Sequence, residues 1–410
     1  MTDVAIPPRG ARSNSTLAVV DQGIVSLASL LYTVAVARES SLQGFGAFAL
    51  INGYYFLAIS LNRAGLAVPV TLALAAGNGE RERAGAIAFA PLMGLLLATP
   101  LAVGAVVWSD SSWATVALLT GLLLPVACLQ DVGRYAQIAS RRAGAAVLAD
   151  AAWVIVQLVG LFAASEKSGP VWPTVCWLAG GIAAACVTLR TLSPLGLAAL
   201  GGLRTFIDDR RRRVALVAEA AVNMGSGYAA MAVVAAMSLT AAGSVRAGIT
   251  LLSPASVVVA GLVPAVLSEG TRLQARPKRQ VVVIGTLAAA ALGLVLVLVV
   301  TARLIPSSVG TALLGDAWQG GVSTVAWLGV ATVMYTAVTC VVILVTVRGH
   351  ADKAFLLRLM GTVPIPIVLA VASSPDPTVT ALMWAVGSGV GLLLVTATAW
   401  RNSSWRSLRG

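Results

Sequence analysis

The fold of this chain is decided by residues 21–69, which read DQGIVSLASLLYTVAVARESSLQGFGAFALINGYYFLAISLNRAGLAVP. Two long apolar segments are joined by a short polar turn, with Asp21 inside the first segment and Arg63 inside the second. An ionised side chain at membrane depth is unfavourable by at least ~2.5 kcal/mol, so it is seldom retained without a partner or a function. The pattern therefore indicates a pair of membrane helices that carries functional charges.

The composition agrees with a membrane protein. Of the 410 residues, 58% are hydrophobic and only 11% are charged, and the mean hydropathy is +0.89. Soluble domains carry about 25% charged residues. The net charge of +12 does not indicate a nucleic-acid partner, because the basic residues separate apolar runs and do not line one face of a soluble domain.

A helix needs ~20 mainly apolar residues to cross the hydrocarbon core of a membrane. By this criterion we expect an all-α, polytopic membrane protein with twelve transmembrane helices. The predicted spans are residues 15–37, 44–74, 85–108, 112–130, 144–164, 171–189, 214–239, 243–267, 280–302, 319–347, 354–372 and 378–400.

The basic residues predict the orientation of these spans, because Lys and Arg favour cytoplasmic loops. With the N-terminus inside, 23 of the 28 basic residues fall on the cytoplasmic side. The outer loops would hold four, namely Arg38, Lys167, Arg246 and Arg303, and Arg63 lies within a span. We therefore expect both termini to be cytoplasmic and the protein to lie in the cytoplasmic membrane, in contact with its lipids.

The chain also looks internally duplicated. The Gly- and Arg-rich connection at 190–213 divides the spans six and six, and residues 17–37 parallel residues 214–234, with Asp21 and Glu219 in similar places. This predicts two pseudo-symmetric six-helix bundles around a central cavity, residues 1–200 and residues 201–410. Transporters built from two parallel repeats bind their substrate between the halves and alternate its access to the two sides.

Several short motifs resemble one family of transporters. They are DQG at 21–23, QGFGAFA at 43–49, NRA at 62–64, LQDVGRYA at 129–136 and ADAAW at 149–153. In these motifs and in the spacing of the first eight spans, the chain resembles the polysaccharide (O-antigen-type) flippases of the multidrug/oligosaccharidyl-lipid/polysaccharide exporter superfamily. The resemblance implies transport of a polyisoprenyl-diphosphate-linked oligosaccharide to the outer leaflet, and contact with polysaccharide assembly machinery.

Arg63 is the first candidate for substrate binding. A guanidinium binds a diphosphate through two donors and stays charged when it is desolvated. The structural alternative is an Asp21–Arg63 ion pair that only holds the first two spans together. The two roles are compatible if phosphate displaces the carboxylate.

Other polar residues in the spans are further candidates for substrate binding. Arg134 is the second phosphate candidate, and its alternative is an interfacial arginine neutralised by Asp131 and lipid head groups. Asn52, Asn62 and Gln157 are candidates for binding sugar hydroxyls, and interhelical hydrogen bonds are the alternative for each of them.

Asp21, Glu219 and Asp150 are candidates for coupling transport to a proton or sodium gradient. Each lies in the cytoplasmic half of a predicted span. Removal of a carboxyl group from water favours its protonated form, so such a group can exchange a proton during transport.

The sequence predicts no enzyme, no bound cofactor and no metal site. Cys128, Cys176, Cys186 and Cys340 do not have metal-ligand spacing, His350 is the single histidine, and no Walker A motif occurs. A drug/cation antiporter of the same fold is the main alternative, and an acidic cavity would favour it over one that contains Arg63. A membrane glycan polymerase or ligase is a further alternative, but it would need a sizeable outer loop.

Overall fold

The structure is a computed structural model and describes residues 9–75, 79–107, 109, 111–163, 169–192, 210–272, 277–347 and 351–401. Within these ranges the chain is helical and contains no strands. The first helices are α1 (Arg9–Arg38) and α2 (Leu42–Asn62), which continues through a single π-helical turn (Arg63–Ala67) into α3 (Val68–Ala75). The remaining helices are α4 (Glu80–Val107), α5 (Ser112–Ala139), α6 (Ala143–Ala163), α7 (Val171–Thr191), α8 (Arg210–Met237), α9 (Leu239–Arg272), α10 (Pro277–Leu304), α11 (Ser307–Leu314), α12 (Ala317–Val347), α13 (Ala351–Thr362), α14 (Pro364–Ala372) and α15 (Pro377–Arg401).

Twelve segments within the described residues are long and apolar enough to cross a membrane, so the predicted number of spans is confirmed. The segment Leu42–Leu74 combines α2, the π turn and α3, and the segment Lys353–Ala372 combines α13 and α14. Most boundaries agree with the predicted spans to within about five residues, although the ends predicted at 130 and 267 lie at Ala139 and Val258. For example, the span predicted at 144–164 is Ala143–Ala163 in the structure. The chain is therefore a multi-pass, all-helical membrane protein.

The packing of the helices divides the chain into two compact units. Unit 1 consists of Met1–Val36 and Tyr54–Ala220, and unit 2 consists of Ala37–Gly53 and Ala221–Gly410. As a consequence, α1, α2 and α8 each contribute residues to both units. The division into bundles at 1–200 and 201–410 stays a prediction, and the connection at 193–209 and the last nine residues lie outside the described part of the chain.

In unit 1, α5 packs against α4, α6 and α7. Where α4 meets α5, a Cβ atom added to Gly94 would overlap the backbone of Pro125, so the two helices approach each other backbone to backbone. Small residues permit such close contacts in membranes, where the lipid tails are as apolar as the side chains. This packing fixes the position of α5 in unit 1, and with it the polar face of α5.

In unit 2, α12 packs against α9, α10 and α15 around an aliphatic core. The start of α2 joins this unit through its contact with α9, where a Cβ atom added to Gly243 would overlap the carbonyl oxygen of Leu42. Arg246 lies within α9, inside the span Leu239–Val258, so its predicted place in an outer loop is wrong.

Candidate substrate and ion site

Five ionisable side chains of unit 1, far apart in sequence, are linked by ion pairs and a shared aromatic ring. We call these residues the charge cluster; they are Asp21 on α1, Arg63 at the start of the π turn, Asp131 and Arg134 on α5, and Asp150 on α6. Residues three apart are neighbours on the surface of a helix, so α5 presents Asp131 and Arg134 on the same face. The cluster therefore draws its charges from four segments of the chain.

Arg63 is paired with Asp131. Its Nη2 atom lies 2.8 Å from Oδ1 of Asp131 and its Nε atom lies 3.2 Å from Oδ2, which is a two-point contact. The predicted ion pair between Asp21 and Arg63 is therefore wrong. The Arg63 side chain keeps 36% of its surface exposed, whereas that of Asp131 keeps 7%. Arg63 is thus the accessible cation of the cluster.

Arg134 lies between two buried acids. Its Nε atom is 3.5 Å from Oδ2 of Asp21, its Nη1 atom is 3.6 Å from Oδ2 of Asp150, and its Nη2 atom donates a hydrogen bond to Oε1 of Gln22 at 3.3 Å. Only 5% of the side chain is exposed. The alternative to phosphate binding was an interfacial arginine neutralised by Asp131 and lipid head groups; the structure adds ion pairs with Asp21 and Asp150 inside the protein. The position of Arg134 makes it a structural counter-ion for the two acids.

Tyr135 links the two arginines of the cluster. Its ring centre lies 5.1 Å from Cζ of Arg63 and 5.4 Å from Cζ of Arg134. A guanidinium within about 6 Å of an aromatic face is attracted by the ring quadrupole. Tyr135 therefore stabilises both cations.

The acids of the cluster outnumber its bases, because three carboxyl groups face two guanidinium groups. Asp150 accepts a hydrogen bond from Nε2 of Gln130 at 2.5 Å through Oδ1, but its Oδ2 atom and both carboxyl oxygens of Asp21 accept none from the described residues. The carboxyl groups of Asp21 and Asp150 share one counter-ion, because each forms an ion pair with Arg134. One proton or one monovalent cation at this pair would balance the charge.

Three other predicted residues tie helices together. In unit 1, Nδ2 of Asn62 donates to the carbonyl oxygen of Cys128 at 3.3 Å, and Nε2 of Gln157 donates to that of Ala28 at 3.1 Å. Both side chains are fully buried. In unit 2, Oδ1 of the buried Asn52 accepts a hydrogen bond from Nη2 of Arg246 at 2.7 Å. The geometry favours the alternative of interhelical hydrogen bonds for all three.

Glu219 is separate from the other two predicted coupling residues. It lies on α8 with an exposed side chain, whereas Asp21 and Asp150 are buried together. Among the described residues, no group of three His, Cys, Asp or Glu side chains could hold a metal ion. The candidate ion site of the cluster is the pair of carboxyl groups of Asp21 and Asp150 beside Arg134.

Sequence reasoning missed Gln130, Gln22 and Tyr135 as members of the site. A signal for Gln130 was present on α5, where the buried polar residues Gln130, Asp131, Arg134 and Gln137 recur at helical spacing; Tyr135 is not one of these buried residues. Gln22 had no comparable signal. It follows Asp21 directly, and only the three-dimensional arrangement brings it to Arg134.

Neither a protein-family model nor a curated protein sequence matches the chain. Solved structures of similar fold do exist. One is a multidrug resistance MATE family transporter of the MOP superfamily in an inward-facing conformation, with a TM-score of 0.73, 13% identity, and coverage of 94% of each chain. Another is the lipid II flippase MurJ in an inward closed conformation, with a TM-score of 0.69, 12% identity, and coverage of 93% of this chain and 86% of that one.

A third similar structure is a MOP superfamily transporter from Pyrococcus furiosus, described as having a binding pocket of reversed polarity. Its TM-score is 0.62 at 16% identity, and the match covers 93% of each chain. Identities of this size establish the fold alone. The chain therefore has the fold of the MOP transporters.

Proposed function

We propose that this protein is a membrane transporter that moves a polyisoprenyl-diphosphate-linked oligosaccharide from the cytoplasmic to the outer leaflet for polysaccharide biosynthesis. Its two halves would alternate the access of the substrate. The observation that carries the proposal is Arg63, whose side chain is partly exposed within a membrane span, where a charged side chain is unfavourable unless it has a partner or a function. The similarity of the fold to that of a lipid II flippase also supports the proposal.

Arg63 is suited to an exchange of anions. Asp131 accepts hydrogen bonds from the Nε and Nη2 atoms of Arg63, and Nη1 has no hydrogen bond to the described residues. A diphosphate presents several charged oxygens and can engage the remaining donors or replace the carboxylate. Binding of substrate would then release Asp131 on α5. This release offers a direct link between loading of the substrate and a change in the packing of unit 1.

The pair formed by Asp21 and Asp150 would couple transport to a proton or sodium gradient. Both acids are buried beside Arg134, and the charge cluster carries one acid in excess of its bases. Occupation of the pair by one cation removes that excess. The stability of the cluster would therefore depend on whether the ion is bound, which is the property that gradient coupling requires.

A drug/cation antiporter is the second candidate. The excess of acid in the cluster favours a cationic substrate, and one structure of similar fold is described as a multidrug resistance transporter. Arg63 argues against this function, because a cation at the exposed edge of the cluster repels a cationic substrate. The two candidates therefore predict opposite effects of removing Arg63.

A deletion strain tests both candidates. Without the protein, lipid-linked oligosaccharide should accumulate on the cytoplasmic side. The wild-type gene should restore export, whereas the Arg63→Ala variant at equal membrane abundance should not. Arg142→Ala is the matched control, because Arg142 is exposed beyond the end of α5. Full export by Arg63→Ala would overturn the proposal. A gain of cationic-dye extrusion by Arg63→Ala would instead favour the antiporter.

The orientation is part of the proposal. A reporter that is active only in the cytoplasm, fused to either terminus, should be active, and the same reporter fused after residue 38 should be silent. The reverse pattern would overturn the assignment of cytoplasmic termini, although the twelve spans would remain.

A further inference from the structure

The π turn that begins at Arg63 is a local interruption of a membrane helix. The amide of Val68 donates to the carbonyl oxygen of Arg63, five residues back, and Pro69 follows immediately. In an α-helix the amide of residue 69 would donate to the carbonyl oxygen of Gly65, but proline has no amide hydrogen. The sequence therefore leaves the Gly65 carbonyl without its helical donor, inside a membrane span.

Arg213, in the first turn of α8, supplies the missing donor to the Gly65 carbonyl oxygen. Its Nη1 atom donates to the Gly65 carbonyl oxygen at 2.7 Å, and its Nη2 atom forms an ion pair with Oε1 of Glu82. Arg213 is 4% exposed and Glu82 is 8% exposed. All three residues belong to unit 1. One guanidinium therefore holds both the interrupted turn and the start of α4.

Close packing supports this contact. A Cβ atom added to Gly65 would lie 3.2 Å from Cγ2 of Val217, which is four residues beyond Arg213 on the same face of α8. The first turns of α8 thus lie directly against the π turn. The absence of a side chain at Gly65 allows the helix to come close enough for Arg213 to reach the backbone.

We propose that Arg213 is a positioning residue, and that with Glu82 it maintains the π turn and thereby the direction of the Arg63 side chain. This inference rests on the proposed role of Arg63 in substrate binding. A π turn contains one residue more than an α turn, and successive α-helical residues are rotated by about 100°. If the turn reverted to α geometry, Arg63 would rotate by about that angle away from Asp131.

A double-mutant cycle with Pro69 tests the structural half of the inference. Arg213→Ala in the full-length protein in lipid nanodiscs should increase hydrogen exchange of the amides in residues 63–72 by about tenfold or more. Arg81→Ala is the matched control, because Arg81 is exposed on α4, and it should change nothing. In a Pro69→Ala background the new amide can donate to Gly65, so removal of Arg213 should have a much smaller effect.

Binding of geranylgeranyl diphosphate tests the functional half. Arg213→Ala should weaken binding of the diphosphate as Arg63→Ala does. The double variant Pro69→Ala/Arg213→Ala should lose binding only to the extent that its hydrogen exchange increases. Arg213→Lys should be intermediate, since one ammonium pairs with Glu82 but does not also span to the Gly65 carbonyl. This variant and the double variant serve as the test if Arg213→Ala does not fold.

Each outcome has a separate meaning. Unchanged exchange in Arg213→Ala, or an equal increase with and without Pro69, would overturn the positioning role. If Arg63→Ala binds the diphosphate as tightly as the wild type, the proposed substrate role fails, whatever the exchange data show. Rapid exchange together with normal binding in Arg213→Ala would also overturn the inference, because the turn would then not direct Arg63.

Discussion

Replacement of Arg134 by methionine should destabilise the protein strongly. Methionine retains much of the apolar volume of the side chain but removes the charge and the donors. The side chain of Arg134 is 5% exposed and forms ion pairs with Asp21 and Asp150. Its removal would leave these buried acids without their counter-ion.

The magnitude follows from the burial of the pair. Removal of one partner of a buried ion pair is unfavourable by about 3–5 kcal/mol, because the remaining charge stays desolvated. The loss of a hydrogen bond to Gln22 is included in that range. We therefore expect the free energy of unfolding of Arg134→Met to fall by about 3–5 kcal/mol.

The measurement is reversible unfolding in mixed micelles, followed by the circular dichroism of the helices. Arg142→Met is the control, since an exposed arginine should change the free energy by no more than about 0.5 kcal/mol. Conversion of Asp21 and Asp150 to asparagine in the Arg134→Met protein should recover most of the loss. A loss under about 1 kcal/mol, or no recovery, would refute the role of Arg134 as their counter-ion.

Two further predictions concern the ion pair and the helix contacts. Asp21→Asn should abolish transport driven by a proton or sodium gradient but retain downhill exchange in a vesicle assay. Glu219→Gln should keep both activities in the same assay. Gradient-driven transport by Asp21→Asn would contradict the coupling site. Gly243→Ala should lower the free energy of unfolding by about 1–3 kcal/mol through overlap with Leu42. Gly225→Ala, which meets nothing within 4 Å, should instead raise it by about 0.5–1 kcal/mol; equal values for the two variants would contradict the close contact.

Hydropathy was sufficient to predict the number of the spans and most of their limits to within about five residues. Each span is a run of apolar residues as long as the membrane is thick, and this property depends on the local sequence alone. For the same reason the sequence placed Arg63, Asp21 and Asp150 inside spans, whereas Arg134, counted on the cytoplasmic side beyond the predicted span 112–130, lies within the span Ser112–Ala139. The sequence did not determine which charged side chains form ion pairs with each other.

The wrongly predicted ion pair between Asp21 and Arg63 shows why the sequence could not predict the pairing. A depth estimate gives the height of a side chain along the helix but not the direction in which it points. Direction depends on the rotation of each helix, and the π turn at Arg63–Ala67 changes the helical register by one residue at this position. Asp131 is the partner because α5 packs against the π turn and brings this carboxylate to Arg63.

Arg246 was misplaced for a different reason. The count of basic residues assigned Arg246 to an outer loop, although the predicted span 243–267 contains it. In the structure its neutral partners are the amide oxygen of Asn52 and the ring of Phe48, whose centre lies 5.7 Å from Cζ. Both come from α2, about two hundred residues earlier, so local sequence carries no signal for this contact.

The most direct test of the account is the movement of a lipid-linked oligosaccharide by the purified protein. A fluorescent polyisoprenyl-diphosphate oligosaccharide in proteoliposomes becomes accessible to an impermeant quencher when it reaches the outer leaflet. The account predicts rapid movement by the wild type and a rate at least about tenfold lower for Arg63→Ala, as expected for the loss of a charged hydrogen bond. Equal rates for the two proteins, or no movement by the wild type under any ion gradient, would contradict it.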